Sequence, residues 1–312
     1  MHWKTKARIQ QVVSLLPHDV SYSAYYWIQR HLGRLRSVDP SDLLQAGVEA
    51  WNRLLQTGAN PLDKTFFEVG TGRAPIVPMA FWLMGASGTV TIDLNRYVKS
   101  EVIRDSVAWM ARHRGDTEQI FGPLLVRKRL EELLGHHASP DDSIEGFMTL
   151  CGIRYIAPGD AASTGLEVDS VDFHTSYNVL EHIPAEVLRA ILEEGKRILR
   201  PGGLFMHRVD YSDHFAHSDT SISAINFLQY SDQEWDRYAG NRYMYMNRLR
   251  HDDFMGLFAS AGLRNVLEMP HINPRVKALL ETGGFPLHAS YREKPDATLA
   301  ITGAWIASSA DV

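Results

Sequence analysis

The sequence contains little of what marks a secreted or membrane protein. Of its 312 residues only Cys151 is a cysteine, so an internal disulfide is impossible and we expect a reducing, cytoplasmic compartment. No apolar run approaches the ~20 residues that a membrane-spanning helix needs. The short apolar run at residues 12–16 is also too short for the core of a signal peptide. We therefore expect no membrane partner.

A surplus of basic residues is also missing. Lys and Arg number 32 and Asp and Glu number 37, so the formal net charge is -5 at pH 7. Because a nucleic-acid-binding chain of this size usually carries a basic surplus, we expect no nucleic-acid partner. Hydrophobic residues make up 45% of the chain, which is enough to bury the core of one elaborated α/β domain.

A glycine-containing turn lies between an apolar predicted strand and an apolar predicted helix. Residues 66–75 read FFEVGTGRAP. Gly70 and Gly72 permit positive φ angles and leave the backbone open to a ligand, and the next helix offers unpaired amides at its N-terminus. The dinucleotide fingerprint requires a small residue where this chain has Pro75. The turn therefore predicts a nucleoside ligand other than NAD.

The following segments alternate between strand and helix patterns. Residues 88–92 read as a strand that ends at Asp93, about 20 residues after the glycines, where an acid can accept hydrogen bonds from ribose hydroxyls. Residues 118–134 read as one charged helix, and residues 298–306 as the last strand. This alternation predicts a doubly wound, mainly parallel sheet with helices on both faces and ligands at the carboxyl ends of the strands.

The glycine turn and three later segments together resemble the class I S-adenosylmethionine-dependent methyltransferases. The turn matches the family's first motif at Glu68, Gly70 and Gly72, with Ala74 in place of the usual third glycine. The later matches are residues 157–160, 171–183 and 199–203. The resemblance extends from about residue 64 to residue 210, with the last strand in addition, and it leaves the substrate-selecting ends uncovered.

The resemblance implies a Rossmann-like sheet of seven strands, S-adenosylmethionine as cofactor, and methyl transfer as activity. Glu68 would anchor the methionine end through the turn, Asp93 would hold the ribose and Asp160 would contact the adenine amino group. Arg73 either meets the methionine carboxylate or faces solvent. The implied cofactor-binding residues are Glu68, Gly70, Thr71, Gly72, Asp93, Leu94, Asp160, Ala161 and Asn178.

Two segments lie outside the resembling part. Residues 1–60 place apolar and aromatic residues at helical spacing, so we expect a helical extension that either packs on the sheet or forms a lid over the substrate. Residues 61–312 would form the methyltransferase domain. Within it, residues 211–250 are a polar and aromatic insertion after strand five and the best candidate for a substrate wall.

Titratable residues gather after predicted strands four and five. A hydroxyl acceptor must lose its proton, and His182 is either the base for that step or a packing residue. His207 and His214 offer the same chemistry, polarised by Asp210 or Asp213. The alternative interpretation is a hydrogen-bonded loop with surface histidines.

A divalent metal is a third interpretation of this region. Some sugar O-methyltransferases of the resembled family hold such an ion with carboxylates from strands four and five. This chain has Ser, Tyr and Asn at residues 176–178, where the first carboxylate would be needed. We therefore do not favour a metal.

These observations predict an S-adenosylmethionine-dependent methyltransferase that acts on a small polar acceptor, with a hydroxyl of a sugar or natural product as first choice. The alternatives with the same fold are methylation of nitrogen or of a lipid head group. An alternative of another class is a regulatory subunit that binds the cofactor without catalysis. The oligomeric state stays open, with a homodimer as one option.

Overall fold

A computed structural model of the chain describes residues 2–139 and 143–310. Within those ranges, no helix combines the length and the apolar composition that crossing a bilayer requires. In chain order the helices and strands are α1 (Trp3–Ser14), α2 (His18–Leu32), α3 (Ser41–Gln56), β1 (Thr65–Val69), α4 (Ile76–Leu83), β2 (Gly88–Ile92), α5 (Ser100–Arg112), α6 (Arg114–Phe121), α7 (Arg127–His137), α8 (Ile144–Leu150), β3 (Ile153–Ile156), β4 (Val171–Tyr177), α9 (Ala185–Ile198), β5 (Leu199–Asp210), α10 (Asp232–Ala239), α11 (His251–Ser260), β6 (Arg264–Ile272), α12 (Pro274–Glu281), α13 (Asp296–Leu299) and β7 (Ile301–Ser309).

The strands form one sheet in the order β3-β2-β1-β4-β5-β7-β6. Strands β1 to β5 pair in parallel, and β7 is antiparallel to both β5 and β6. The chain order reverses between β1 and β4, so the loops that follow these two strands leave in opposite directions and open a crevice at the carboxyl edge. The predicted doubly wound, mainly parallel, seven-stranded fold is confirmed.

Strand β1 is covered on both faces of the sheet, which explains why its sequence is apolar at successive positions. Phe66 and Phe67 point to opposite faces of the sheet, because side chains alternate along a strand. Phe66 stacks on Phe81 of α4 with ring centroids 4.2 Å apart, whereas Phe67 belongs to the core beneath α9 and α11. A parallel strand covered on both faces needs apolar residues at successive positions.

Two predicted elements have different bounds in the structure. Residues 118–134 do not form one helix: α6 ends at Phe121 and a 3₁₀ turn, Gly122–Leu124, precedes α7. Gly122 has a φ of +53°, and the proline after it lacks the amide hydrogen that a continuous helix would use. The last strand begins at Ile301, later than predicted, because residues 296–299 form α13.

The N-terminal helices divide between two partners. Helix α3 packs against α4 in the main core. In α1, Trp3 packs on Phe215 and Trp235 of the segment that follows β5, and in α2, Tyr25 stacks on Tyr243 of the same segment at 4.1 Å. Helix α3 thus lies in the main core beside α4, whereas α1 and α2 cover the insertion.

Candidate functional site

The glycine turn lies at the carboxyl end of β1. Gly70 and Gly72 have φ angles of +87° and +70°, which side chains other than glycine rarely adopt. A Cβ on Gly70 would lie 2.5 Å from a methyl group of Val179, whereas a Cβ on Gly72 would meet no atom of the described residues within 4 Å. The turn is therefore packed from below at Gly70 and open to a ligand at Gly72.

Asp93 closes this turn from the end of β2. Its Oδ2 accepts a hydrogen bond from the Gly72 amide at 3.0 Å. Burial raises the pKa of Asp93 to about 7, although hydrogen bonds from the turn oppose that shift. Leu94, the next residue, is 71% exposed. A carboxyl group that can accept hydrogen bonds from a ribose and an apolar side chain that can contact a base thus lie next to each other at the open turn.

Glu68 supports the turn from beneath. It is buried, and its Oε2 accepts a hydrogen bond of 2.8 Å from the Thr91 hydroxyl. The Thr91 hydroxyl in turn lies 2.5 Å from that of Thr71. Burial raises the pKa of Glu68 to about 8. The carboxyl group therefore contacts the turn through two threonines rather than through the amides of the turn.

The residues after β3 and β4 complete the same edge. Asp160 is exposed, and its Oδ1 accepts a hydrogen bond from the Ala162 amide at 2.8 Å, while Ala161 is buried. Asn178 has a φ of +54° and its amide donates to the Arg208 carbonyl at 2.8 Å. Its buried Oδ1 has no hydrogen-bond partner among the described residues, so a polar atom is available at the exit of β4.

Helix α2 closes the crevice from outside. The Arg73 guanidinium lies 5.1 Å from the ring centroid of Tyr26 and 5.4 Å from that of Tyr97, and it donates to the Gln29 side chain at 3.1 Å. An open cavity of about 320 Å³ is lined by Arg73, by Tyr97 and, from α2, by Tyr22. Arg73 therefore connects the glycine turn to α2 instead of simply facing solvent.

A group of histidines and carboxyl groups lies at the ends of β4 and β5. His214 Nε2 lies 3.4 Å from Asp210 Oδ2 and 4.0 Å from Glu181 Oε1. His217 Nε2 lies 3.5 Å from the same Asp210 oxygen, and the His182 ring is 4.8 Å from the His214 ring between centroids. We call these five residues the His–carboxylate cluster. Three of the predicted catalytic residues, His182, Asp210 and His214, thus come together.

The surroundings of the cluster set its protonation states. Burial raises the pKa of Asp210, but hydrogen bonds from His214 and Ser212 outweigh burial and hold it at about 2. Burial and the neighbouring His214 lower the pKa of His182 to about 4. Burial and the charge of Asp210 raise the pKa of Glu181 well above its ordinary value. At neutral pH, Asp210 is therefore ionised and His182 is neutral, while the pKa of Glu181 is shifted in favour of its protonated form.

The structure does not bring His207 to this cluster. Its ring is 1% exposed, stacks near Phe258 at 5.9 Å and contacts the Ser176 hydroxyl through Nδ1 at 2.8 Å. Burial lowers the pKa of His207 well below the ordinary range of histidine. His207, which the sequence predicts as a base, therefore lies apart from the cluster, because alternation along β5 turns this side chain into the core beneath α11.

Asp213 is likewise a structural residue. It is buried, accepts a hydrogen bond of 2.8 Å from the Asn226 side chain and another of 2.8 Å from the Phe215 amide. These bonds shape the first turn of the insertion. Between the two acids considered as partners of His214, the structure thus places Asp210 in contact with its ring.

Sequence analysis missed Glu181. Its carboxyl group is 2% exposed, and neither oxygen has a hydrogen-bond partner within residues 2–139 and 143–310. The available signal was its position beside His182 in a loop that follows a buried strand. That position does not reveal that the side chain is buried. The insertion contacts the residues on both sides of Glu181: the Tyr245 carbonyl lies 2.7 Å from His182 Nδ1, and the Asn247 side chain donates to the Leu180 carbonyl at 2.9 Å.

Comparison with known proteins gives one family match and several similar folds. A family described as methyltransferase domain matches residues 138–207, and no curated protein gives a significant match. An S-adenosylmethionine-dependent methyltransferase from Mesorhizobium loti has 15% identity, coverage of 85% of this chain and 99% of that chain, and a TM-score of 0.45. Geranyl diphosphate C-methyltransferase from Streptomyces coelicolor A3(2), solved with Mg²⁺, geranyl diphosphate and S-adenosyl-L-homocysteine, has 12% identity, coverage of 85% and 79%, and a TM-score of 0.44.

The family match covers β3, β4 and most of β5, the strands that carry the exposed Asp160 and the exit at Asn178. The order of the strands and the glycine turn closed by Asp93 extend the agreement to the rest of the sheet. Residues 138–207 thus match the methyltransferase domain family, and the strand order and the glycine turn continue the same doubly wound sheet outside that segment.

Proposed function

We propose that the protein transfers the methyl group of S-adenosylmethionine to a hydroxyl group of a small polar acceptor such as a sugar or another natural product. The observation that carries this proposal is the His–carboxylate cluster at the carboxyl ends of β4 and β5. That edge is where doubly wound folds bind their ligands.

We assign the cofactor to the crevice between the glycine turn and the exits of β2, β3 and β4. Asp93 would accept hydrogen bonds from the ribose hydroxyls, and the exposed Leu94 would cover one face of the adenine. Asp160 and Ala161 would meet the adenine edge. The open backbone at Gly72 and the unpartnered Oδ1 of Asn178 support placement of the methionine portion nearby.

The chemistry of the acceptor supports oxygen. The sulfonium is already a good leaving group, so transfer needs the acceptor held in line behind the methyl carbon. An alcohol must also lose its proton, and a positioned imidazole with a carboxylate partner assists that loss. His214 with the ionised Asp210 is the pair that we assign to activation of the hydroxyl. The carbon–sulfur bond then breaks as the carbon–oxygen bond forms.

We propose that the insertion, residues 211–250, is the acceptor wall within a methyltransferase domain of residues 61–312. The extension, residues 1–60, would act as its lid. The contacts of α1 and α2 with the insertion support this arrangement. Buried Cys151, the only cysteine, fits a reducing cytoplasmic compartment.

A nitrogen acceptor is the second candidate, favoured by Glu181. A buried carboxyl group without a partner is suited to a neutral amine, because the N–H groups of the amine would supply the missing hydrogen bonds. An amine with a free lone pair needs no base for methyl transfer. His214 would then be dispensable for turnover.

The test is transfer of labelled methyl groups to a panel of glycosides, phenols and amines. For a hydroxyl acceptor, His214→Ala should lower kcat by about 10² or more at neutral pH, and the loss should shrink as the pH rises. Binding of S-adenosylhomocysteine, measured by calorimetry, should not change. The exposed His113 at the end of α5 provides the control variant, His113→Ala.

An amine product with undiminished turnover in His214→Ala would replace the hydroxyl proposal by methylation of nitrogen. Cofactor binding without any labelled product across the panel would instead favour a regulatory subunit.

A further inference from the structure

We propose that the His–carboxylate cluster binds one divalent transition-metal ion, and that this ion makes the acceptor hydroxyl acidic. The proposal depends on the proposed function for the use of the ion, but not for the existence of the site. The cluster consists of Glu181 and His182 after β4 and of Asp210, His214 and His217 at and after the end of β5.

The spacing of the donor atoms fits a single ion. Nitrogen and oxygen ligands lie about 2.0–2.2 Å from such an ion, so neighbouring ligands around it lie about 3–4 Å from one another. Asp210 Oδ2 lies 3.4 Å from His214 Nε2 and 3.5 Å from His217 Nε2. Glu181 Oε1 lies 4.0 Å from the same His214 nitrogen. His214 is therefore shared between two candidate ligand triads, each with its donor atoms within 4.8 Å.

Hydrogen bonds orient the candidate ligands. His182 Nδ1 lies 2.7 Å from the Tyr245 carbonyl, which can only accept, so the proton sits on Nδ1 and the lone pair on Nε2. The other oxygen of Asp210, Oδ1, accepts from the Ser212 amide at 2.8 Å and from its hydroxyl at 2.6 Å. Bonds of this kind, from ligand to backbone or side chain, are typical of metal sites.

Unpartnered atoms converge on the same point. Among the described residues, neither carboxyl oxygen of Glu181 has a hydrogen-bond partner, and His214 Nε2 lies 4.0 Å from Glu181 Oε1 and 3.4 Å from Asp210 Oδ2. Both groups are shielded from solvent, with side-chain exposures of 2% for Glu181 and 17% for His214. Burying such atoms without partners is unfavourable. A cation that both groups can ligate would supply the missing interaction.

The ligand types select the ion. Mg²⁺ and Ca²⁺ prefer oxygen ligands, whereas imidazoles with carboxylates suit Zn²⁺, Fe²⁺ and related ions of the first transition row. Each triad offers two imidazoles and one carboxyl group, which indicates the transition-metal class. A site built on carboxylates alone would need a carboxylate at residues 176–178, where this chain has Ser, Tyr and Asn. The cluster is therefore a different kind of site.

The ion would act on the acceptor oxygen. Coordination to a divalent ion lowers the pKa of a bound hydroxyl or water, so His214 and Asp210 then serve as ligands in place of the base pair, the oxygen–hydrogen bond breaks and the proton passes to solvent. The coordinated oxygen then attacks the methyl carbon, the carbon–sulfur bond breaks, and the neutral thioether leaves. The charge of the ion does not change, and no other reactant is required.

The first experiment measures binding directly with Co²⁺ and Zn²⁺. The full chain, freed of any affinity tag and stripped with a chelator, is titrated with Co²⁺ by visible absorption and with Zn²⁺ by calorimetry. We expect one ion per chain, and affinity lowered about 10- to 100-fold in His217→Ala and in Glu181→Gln, but unchanged in His113→Ala. Glu181→Gln keeps the shape of the side chain, and thermal unfolding of each stripped variant checks that it is folded. Absence of stoichiometric binding, or equal affinity in all four proteins, would overturn the proposal.

The second experiment separates the metal from the acceptor. Hydroxyl methylation should fall at least about tenfold after stripping and return with Zn²⁺ or Fe²⁺. A stripped chain that methylates hydroxyls at the full rate refutes the role of the ion and leaves the proposed function intact. A chain that binds Co²⁺ through the cluster but methylates no hydroxyl refutes the proposed function and leaves the metal site intact.

Discussion

Asp93 and Asp210 are both carboxyl groups of the site, and their surroundings move their pKa values in opposite directions. At Asp93 burial dominates and raises the pKa to about 7. At Asp210 burial acts in the same direction, but His214 and Ser212 overcome it and hold the pKa at about 2. At neutral pH Asp93 is therefore only partly ionised, and hydroxyl groups of a ligand would stabilise its ionised form, whereas Asp210 already accepts from His214 and Ser212.

Replacement of Asp93 should cause a large loss of cofactor affinity, because this carboxyl group is the assigned acceptor of the ribose hydroxyls. Asp93→Ala should weaken S-adenosylhomocysteine binding about 10- to 100-fold, because hydrogen bonds from two ribose hydroxyls lose their acceptor. Calorimetry measures the affinity, and Glu167→Gln, an exposed acid between β3 and β4, is the control. Equal affinity in wild type and Asp93→Ala would contradict the assignment of the ribose to this carboxyl group.

Helix α1 depends on one aromatic side chain for its docking. Trp3 is 3% exposed and lies within 6.0 Å, between ring centroids, of Phe215, Trp235 and Tyr238. Its backbone amide donates to Asp219 at 2.8 Å. This aromatic group joins α1 to the insertion, residues 211–250. The two segments are far apart in sequence, since Trp3 and Asp219 differ by 216 positions.

Removal of this ring should loosen α1 and the insertion together. Trp3→Ala should cost about 3–5 kcal/mol of stability in the affected region, as for other buried tryptophans. Hydrogen exchange should then accelerate in both α1 and residues 211–250. The matched control is Trp27→Ala in α2, since Trp27 is 56% exposed and such a change stays within about 0.5 kcal/mol. Faster exchange in α1 alone would show that the insertion holds its shape independently.

The whole molecule contains two sets of buried titratable groups with opposite effects on stability. The pKa values of Glu68 and Asp93 are raised by burial to about 8 and about 7. The folded chain therefore keeps protons that the unfolded chain releases, and the free energy of unfolding falls as the pH rises toward 8. His182 has a pKa lowered to about 4 from 6.5, so its contribution is lost as the pH falls from 6.5 to 4.

Glu68→Gln should therefore flatten the alkaline side of the stability profile. Wild type should lose about 1–2 kcal/mol of unfolding free energy through Glu68 between pH 6.5 and pH 8. The variant should lose clearly less, because glutamine carries no proton to release and its oxygen can still accept the hydrogen bond of Thr91. Denaturant unfolding at both pH values measures the difference, with Glu167→Gln as control. A parallel decline in all three proteins would mean that Glu68 is ionised in the folded state throughout this range.

Much of the fold and of the cofactor region was accessible from sequence because both depend on short segments. A parallel strand buried on both faces is apolar at successive positions, as in Phe66 and Phe67, and a turn with positive φ needs glycines, as at Gly70 and Gly72. The alternation of such strands with amphipathic helices implies the doubly wound sheet. These constraints act between residues that are close in the chain, so a short sequence pattern is enough to predict them.

The composition of the second site was decided by tertiary structure. His207 and Asp210 lie three residues apart on β5, so alternation turns them to opposite faces of the sheet, and only tertiary structure decides that one face is the core and the other meets the cluster. Glu181 is a buried carboxyl group without a hydrogen-bond partner among the described residues, at the exit of β4 that the insertion contacts through Asn247. The sequence by itself determined the sheet, the glycine turn and the acid after β2, since local geometry demands those residue types. Which titratable groups meet at the carboxyl edge was decided by contacts between segments far apart in the chain.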